Sequence, residues 1–163
     1  MTTTPSPLST ADLCDDHPDV EVLSLRLSDF GGVRAFGGPV RTVRAPDDNS
    51  LVRAALEEAG DGAVLVVDGG GSLNVALVGD VLAALGVKNG WAGVIVHGCI
   101  RDSAAISGME LGVKALGTCP RKSEKRGLGE RDVPLSFGGV HFALGRFVYA
   151  DGDGVIVSAR ALR

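Results

Sequence analysis

Aromatic side chains are scarce in this chain, which has five Phe, one Trp and one Tyr among 163 residues. With so few rings the core has to be built from Val, Leu, Ile and Ala. Cysteine is scarce too: Cys14, Cys99 and Cys119 are an odd count without regular spacing. That excludes a disulfide frame and reads as reduced thiols in a cytoplasmic protein. No apolar run reaches the length of a membrane span, because Gly, Asp or Arg interrupts each one. The first ten residues lack the basic start and apolar block of a signal peptide. Histidine pairing is missing as well. His17, His97 and His141 form no His-x-x-x-His, and no Cys-x-x-Cys accompanies them, so the spacing announces no zinc site. An excess of positive charge is also absent. With 16 basic and 20 acidic residues the net charge is −4, which argues against direct binding of nucleic acid.

What is abundant is glycine, 24 residues of it, together with 45% apolar and 22% charged side chains. Such a chain makes many tight turns or close backbone approaches around an ordinary core. Residues 1–163 are expected to form a single domain, with 1–9 flexible.

The chain then divides by pattern. Ser9 or Thr10 can cap a short helix over 11–16, and residues 21–27 alternate as a strand does. Residues 39–45 read as another strand. Asp47, Asp48 and Asn49 supply cap chemistry for a helix over 50–59. Residues 63–67, Ala-Val-Leu-Val-Val, are a continuous apolar run suited to a buried strand, and they deliver the chain into Asp68-Gly69-Gly70-Gly71-Ser72. Residues 73–85 have helical spacing, with an interruption near Gly79. A second buried strand over 93–97 opens into Gly98, Arg101 and Asp102, then a short helix around 103–107. Residues 114–118 supply a third strand. Strand–helix–strand–helix–strand over 63–118 predicts a parallel sheet with right-handed crossovers. The polar stretch 120–132 reads as a loop, solvated or in contact with another subunit, with a role for Lys122 or Lys125 near an anionic substrate left open. Short strands at 135–137, 140–144, 146–149 and 155–157 give an antiparallel or mixed β ending.

Ligand sites in parallel sheets lie beyond the carboxyl ends of the strands. Two such ends stand out. The Asp68–Ser72 turn lacks the spacing of a phosphate loop and reads first as a tight strand-to-helix turn, with direct ligand contact as the second reading. His97 and Cys99, flanking Gly98, could line a site or simply pack. Ser72 lacks the setting of a nucleophile elbow. Arg101-Asp102 offers a cationic fork for a carboxylate beside a hard oxygen ligand for a divalent cation. The same pair could also be a surface ion pair with an N-capping Asp. Asp80 could be a first-turn acid favoured by the helix dipole.

The residues from 66 to 153 resemble the RraA-like family, which comprises regulators of ribonuclease E activity and 4-hydroxy-4-methyl-2-oxoglutarate aldolases. The resemblance is carried by Val-Val-Asp-Gly-Gly-Gly-Ser, Ala-Leu-Val-Gly-Asp, Asn-Gly-Trp-Ala-Gly, His-Gly-Cys-Ile-Arg-Asp and Tyr-Ala-Asp-Gly-Asp-Gly. The aldolase pattern is Gly-x-x-x-Asp, twenty residues, then Arg-Asp. Here Asp80 is followed by 81–100 and then Arg101-Asp102, in register, while the leading Gly is replaced by Ala76.

The resemblance implies an α/β fold, a swivelling β/β/α domain with a mixed central sheet and a short β-rich C-terminal part, assembled as a homotrimer. It implies an aldolase dependent on Mg²⁺ or Mn²⁺, acting on 2-oxo acids such as pyruvate, oxaloacetate and 4-hydroxy-4-methyl-2-oxoglutarate, with oxaloacetate decarboxylation through the same enolate. Backbone amides of Gly79, Asp80, Val81 and Leu82 and the Arg101 guanidinium would bind substrate. Arg101 and Asp80 would be catalytic, and Asp102 would hold the metal. The alternative is a non-catalytic regulator docking on a ribonuclease E-type partner. A methyltransferase reading, attached to some similar sequences, lacks an evident nucleoside-binding loop with its ribose-binding acid.

Overall fold

The computed structural model describes residues 7–163. In chain order come helix α1 (Thr10–Asp16), short strands β1 (Glu21–Val22) and β2 (Ser28–Asp29), long strand β3 (Phe36–Arg44) and helix α2 (Ser50–Leu56). Strands β4 (Val64–Asp68) and β5 (Ala76–Val78) lead into helix α3 (Asp80–Lys88), strand β6 (Gly93–Ile100), helix α4 (Ser103–Ile106) and strand β7 (Gly112–Thr118). The remainder is strand: β8 (Glu130–Arg131), β9 (Leu135–Phe137), β10 (Val140–Phe142), β11 (Phe147–Asp151) and β12 (Gly154–Ser158).

One mixed sheet runs in the order β1-β12-β11-β3-β4-β6-β7-β2, with β5 added to β6 and β8 to β3, while β9 and β10 pair as a separate hairpin. Its centre, β3-β4-β6-β7, is parallel, and the flanking pairings are antiparallel. The α/β class with a parallel heart and a β-rich ending is therefore as the sequence predicts.

Alternation along the central strands explains why these runs are apolar throughout. Leu65, Val67, Val94 and Val96 face a cluster that includes Leu56 of α2, Leu82 and Ala83 of α3 and Ile106 of α4. Their neighbours Val64, Val66 and Ile95 face the opposite cluster, with Phe137, Val140 and Phe142 of the hairpin and Val148 of β11. Successive side chains of a strand point to opposite faces, so a sheet covered on both sides needs apolar residues at every position. Helices thus cover one face and β-structure the other.

Four expectations are corrected. The helical spacing over 73–85 resolves into a strand and a shorter helix. Val75, Ala76, Leu77 and Val78 are all buried, which an amphipathic helix on this surface could not achieve, and Ala76 and Val78 pair with Cys99 and Ile100. Residues 21–27 form only the two-residue β1, paired with β12, before leaving the sheet. Helix α2 stops at Leu56, and Glu58 beyond it is held by Arg131 at 2.9 Å. The stretch 120–132 is not a free loop. It returns to the sheet as β8 against β3 and is fastened along its length beside α2. At the N-terminus Ser9 caps α1 by accepting from the Asp12 amide, whereas Thr10 donates its hydroxyl to Asp151 at 2.6 Å. Residues 1–6, where most of the expected flexible segment lies, fall outside the described residues.

Candidate active site

Strand β5 occupies the position on β6 that β4 has vacated: β4 pairs with 93–97, and β5 with Cys99 and Ile100. Both β5 and β6 therefore release the chain at the same carboxyl edge, one into α3 and the other into Arg101-Asp102. The Arg101 amide donates to the Val78 carbonyl at 2.9 Å, so the two exits are locked side by side.

The lock continues through side chains. Asp102 has φ 58° and ψ 39°, a left-handed conformation that Asp tolerates better than most residues. It stands at the N-cap position of α4 but makes no capping hydrogen bond there. Its Oδ2 instead accepts from the Asp80 amide, at 3.0 Å, at the first turn of α3. Among the described residues Asp102 and Arg101 form no ion pair with each other. The surface-ion-pair and capping alternatives are thereby set aside.

Gly79 explains why the clasp closes. Its φ of −121° is open to any residue, but a Cβ there would lie 2.8 Å from Asp102 Oδ2 and 3.4 Å from Arg101 Nε. Any larger residue here would fit only if the Asp102 carboxylate moved aside, so glycine is what lets both side chains lie against the start of α3. The departure from the family pattern at Ala76 is harmless by comparison, because Ala76 is an ordinary buried strand residue whose amide donates to the Arg121 carbonyl at 2.8 Å.

A cavity of about 130 Å³ opens here. One wall consists of Gly79, Asp80, Val81, Leu82, Arg101 and Asp102, the six residues singled out from the sequence. Because α3 has no side-chain cap and the Asp80 amide is used by Asp102, the amides of Val81 and Leu82 stand without an acceptor among the described residues. A helix start of this kind attracts a carboxylate by its amides and by the helix dipole. The opposite wall is formed by Asn49, Arg53, Lys122, Ser123 and Lys125, with Ala76 between the two walls.

That second wall is held by a buried acid. Asp48 is fully buried, its Oδ1 accepts from the Ser50 amide at 2.9 Å, and its Oδ2 accepts from the Arg126 amide. Burial pushes the Asp48 carboxyl up, but hydrogen bonds from Ser50, Arg126 and Leu128 outweigh it and hold the group below its ordinary value. Nearby, the Asn49 amide donates to Ser123 Oγ at 3.2 Å, Asn49 Nδ2 donates to the Leu77 carbonyl at 3.2 Å, and the Gly127 amide donates to Ser50 Oγ at 3.0 Å. Lys122 and Lys125 are thus fixed by their backbone, and the role left open for them in the sequence gains a location. Asn49, Arg53 and Ser123 were missed, because Asp-Asp-Asn-Ser reads locally as cap chemistry only.

Other candidates lie elsewhere. His97 stacks on Phe137 with ring centroids 4.4 Å apart and pairs its Nδ1 with Asp68 at 2.9 Å. Asp68 also accepts from the Gly70 amide at 2.8 Å, closing the triple-glycine turn on itself. Cys99 is 1% exposed, and burial, aided by Cys119, pushes its thiol up, which leaves it unreactive. None of these, nor Ser72, lines the cavity.

Among the described residues no three His, Cys, Asp or Glu side chains converge as a metal cage. The cavity instead presents two carboxylates, Asp80 and Asp102. That donor set fits a hard cation such as Mg²⁺, which is held by one or two carboxylates and keeps several waters.

Comparison with known proteins gives the family. Residues 10–157 match the RraA-like family, described as Aldolase/RraA. A candidate 4-hydroxy-4-methyl-2-oxoglutarate aldolase of Aromatoleum aromaticum is 59% identical over 154 residues, covering 94% of this chain and 97% of the relative. One from Alkalilimnicola ehrlichii is 56% identical over 154 residues, covering 94% and 96%. Among solved structures, a Geobacillus kaustophilus protein described as an S-adenosylmethionine:2-dimethylmenaquinone methyltransferase is 55% identical, with a TM-score of 0.94 over 95% of this chain and 97% of that one. The RNA-processing inhibitor RraA from Thermus thermophilus is 46% identical, with a TM-score of 0.93 over 97% and 96%. The chain belongs to the RraA-like family.

Proposed function

We propose that this protein is a carbon–carbon lyase, a divalent-metal-dependent 4-hydroxy-4-methyl-2-oxoglutarate aldolase that also decarboxylates oxaloacetate. The observation that carries the reading is the clasp of Asp102 onto the first turn of α3 beside Arg101, in one small cavity at a strand edge. The names of the relatives at 59% and 56% identity support it.

The chemistry follows from the charges. Breaking the C3–C4 bond of a 2-oxo acid sends an electron pair toward the keto oxygen and leaves the enolate of pyruvate. The Val81 and Leu82 amides take the C1 carboxylate at the helix start. The Arg101 guanidinium on the cavity wall would meet the negative charge that grows on the keto oxygen, an effect worth on the order of a hundred- to a thousand-fold in rate. Asp102, with Asp80 beside it, would hold Mg²⁺ or Mn²⁺. A cation of that kind supplies Lewis-acid stabilisation of the enolate, several kcal/mol of it. Asp80 orients a water that accepts the proton of the substrate's C4 hydroxyl. No lysine Schiff base is required.

The cavity also bears on the methyltransferase description of the Geobacillus relative. Sites for drug-sized ligands run from roughly 300 Å³ upward. At about 130 Å³ this one lies below that range and suits a small 2-oxo acid better than S-adenosylmethionine.

A homotrimer is part of the proposal. Val81, on the cavity wall, is 58% exposed, an apolar side chain suited to burial by a neighbouring subunit. We place the protein in the cytoplasm, where its three free thiols stay reduced. Likeness to the Thermus inhibitor favours a second reading, in which the protein docks on a ribonuclease E-type enzyme. A pull-down with wild type and Arg101→Ala separates the two, since docking does not need the cavity.

The test of the main reading is pyruvate release from 4-hydroxy-4-methyl-2-oxoglutarate and oxaloacetate, abolished by EDTA and restored by Mg²⁺ or Mn²⁺. Full turnover in EDTA contradicts it.

A further inference from the structure

The cavity holds more positive charge than a pyruvate enolate needs. Arg53, Arg101, Lys122 and Lys125 line it against Asp80 and Asp102, in a chain whose net charge is −4. Arg101 is committed to the enolate wall. The other three cations share the facing wall, and among the described residues Lys122 and Lys125 have no acidic partner. Arg53 has only Glu57, at 3.9 Å on the exposed face of α2. Nor is this wall a loose fringe of surface side chains. The buried Asp48 and the Asn49–Ser123 and Ser50–Gly127 hydrogen bonds fix its backbone against α2 and β5.

We propose that Arg53, Lys122 and Lys125 form a second anion subsite, and that it selects which of two reactions the Arg101–Asp102 centre runs. The inference rests on the lyase reading above and assigns these three residues the carboxylate on C4 of the substrate.

The selection comes from where charge goes when the C3–C4 bond breaks. In aldol cleavage of 4-hydroxy-4-methyl-2-oxoglutarate, the bonding pair moves into the enolate, the C4 hydroxyl loses its proton to water, and C4 becomes the keto carbon of a second pyruvate. The C4 carboxylate keeps its charge throughout, so cations that bind it hold substrate and transition state alike. In decarboxylation of oxaloacetate the same pair moves into the enolate, but the distal carboxylate itself departs as neutral CO₂, and the enolate carbon later takes a proton from water. Cations around that carboxylate stabilise the ground state and lose their partner in the transition state. Interactions stronger in the ground state slow the chemical step. The subsite therefore favours retained-carboxylate cleavage over decarboxylation, and it makes oxaloacetate turnover the side reaction.

The test is steady-state kinetics of the Mg²⁺-loaded wild type, Arg53→Gln, Lys125→Gln and the double variant on both substrates. Charge-assisted hydrogen bonds to a carboxylate predict a KM for 4-hydroxy-4-methyl-2-oxoglutarate raised about tenfold in each single variant. Decarboxylation kcat stays level or rises, so the ratio of aldol kcat/KM to decarboxylation kcat falls about tenfold or more. An unchanged ratio in folded variants, with both wild-type reactions running, overturns the subsite and leaves the lyase reading standing. Absence of both reactions in the wild type overturns both. Arg53→Lys, which keeps the charge, is expected to restore most of the ratio; if it behaves as Arg53→Gln does, the electrostatic assignment fails.

Discussion

The Asp80 amide and the Asp102 carboxylate are joined by a 3.0 Å hydrogen bond that spans two separate strand exits. It turns a sequence spacing into a single wall. It also orients Asp102 away from its own helix, where a capping Asp would otherwise point.

Asp102→Asn keeps an oxygen that can accept from the Asp80 amide and removes the charge. Folding should be retained, with a Tm within about 2 °C of wild type, since the change is exposed and isosteric. Binding of Mn²⁺, followed by electron paramagnetic resonance, should be lost together with turnover.

Gly79→Ala places a methyl group against Asp102 Oδ2. Asp102 must swing out, so kcat/KM should fall about a hundredfold, in keeping with a displacement of roughly 1 Å in a catalytic group. Circular dichroism should show an intact fold, because Gly79 is at the edge of the sheet and its backbone is unstrained.

Asp48→Ala leaves the Ser50 and Arg126 amides unpaired in a buried place, which costs about 2–3 kcal/mol in urea unfolding. The pH dependence has a definite sign. The Asp48 carboxyl is held below its ordinary value of 3.8, so it stabilises the native state above that value and loses the contribution as pH falls through its lowered folded value. Stability measured from pH 6 down to pH 2 should drop below about pH 4 in wild type, and less steeply in Asp48→Asn.

Lys114 is 2% exposed and pairs with Asp29 at 3.0 Å, where β7 meets β2. Removing one partner strands a buried charge, so Asp29→Ala should cost about 3–5 kcal/mol, while the double change Lys114→Met with Asp29→Leu should cost much less. Chemical denaturation of the three variants checks this.

The apolar runs at 63–67 and 93–97 announced the buried parallel strands, because a sheet covered on both faces tolerates nothing else there. The Arg101-Asp102 pair stood out at its strand end only as one of two readings, and its register with Asp80 came from the resemblance to the RraA-like family. Strand β5 was not. Ala-Leu-Val is three residues long and fits a helix face as well as a strand, and only Cys99 and Ile100, far along the chain, decide between them. The cationic wall was hidden for a related reason. Asp48 looks like a turn residue until its bond to the Arg126 amide shows that it fastens a basic stretch 78 positions away.

The central claim, that Arg101, Asp102 and the start of α3 form one enolate site, is tested most directly by proton exchange at the methyl carbon of pyruvate. With Mg²⁺ in D₂O, the wild type should erase the methyl proton resonance of pyruvate, and Arg101→Ala should slow that loss by about a hundredfold or more. Exchange in folded Arg101→Ala at the wild-type rate would contradict the account.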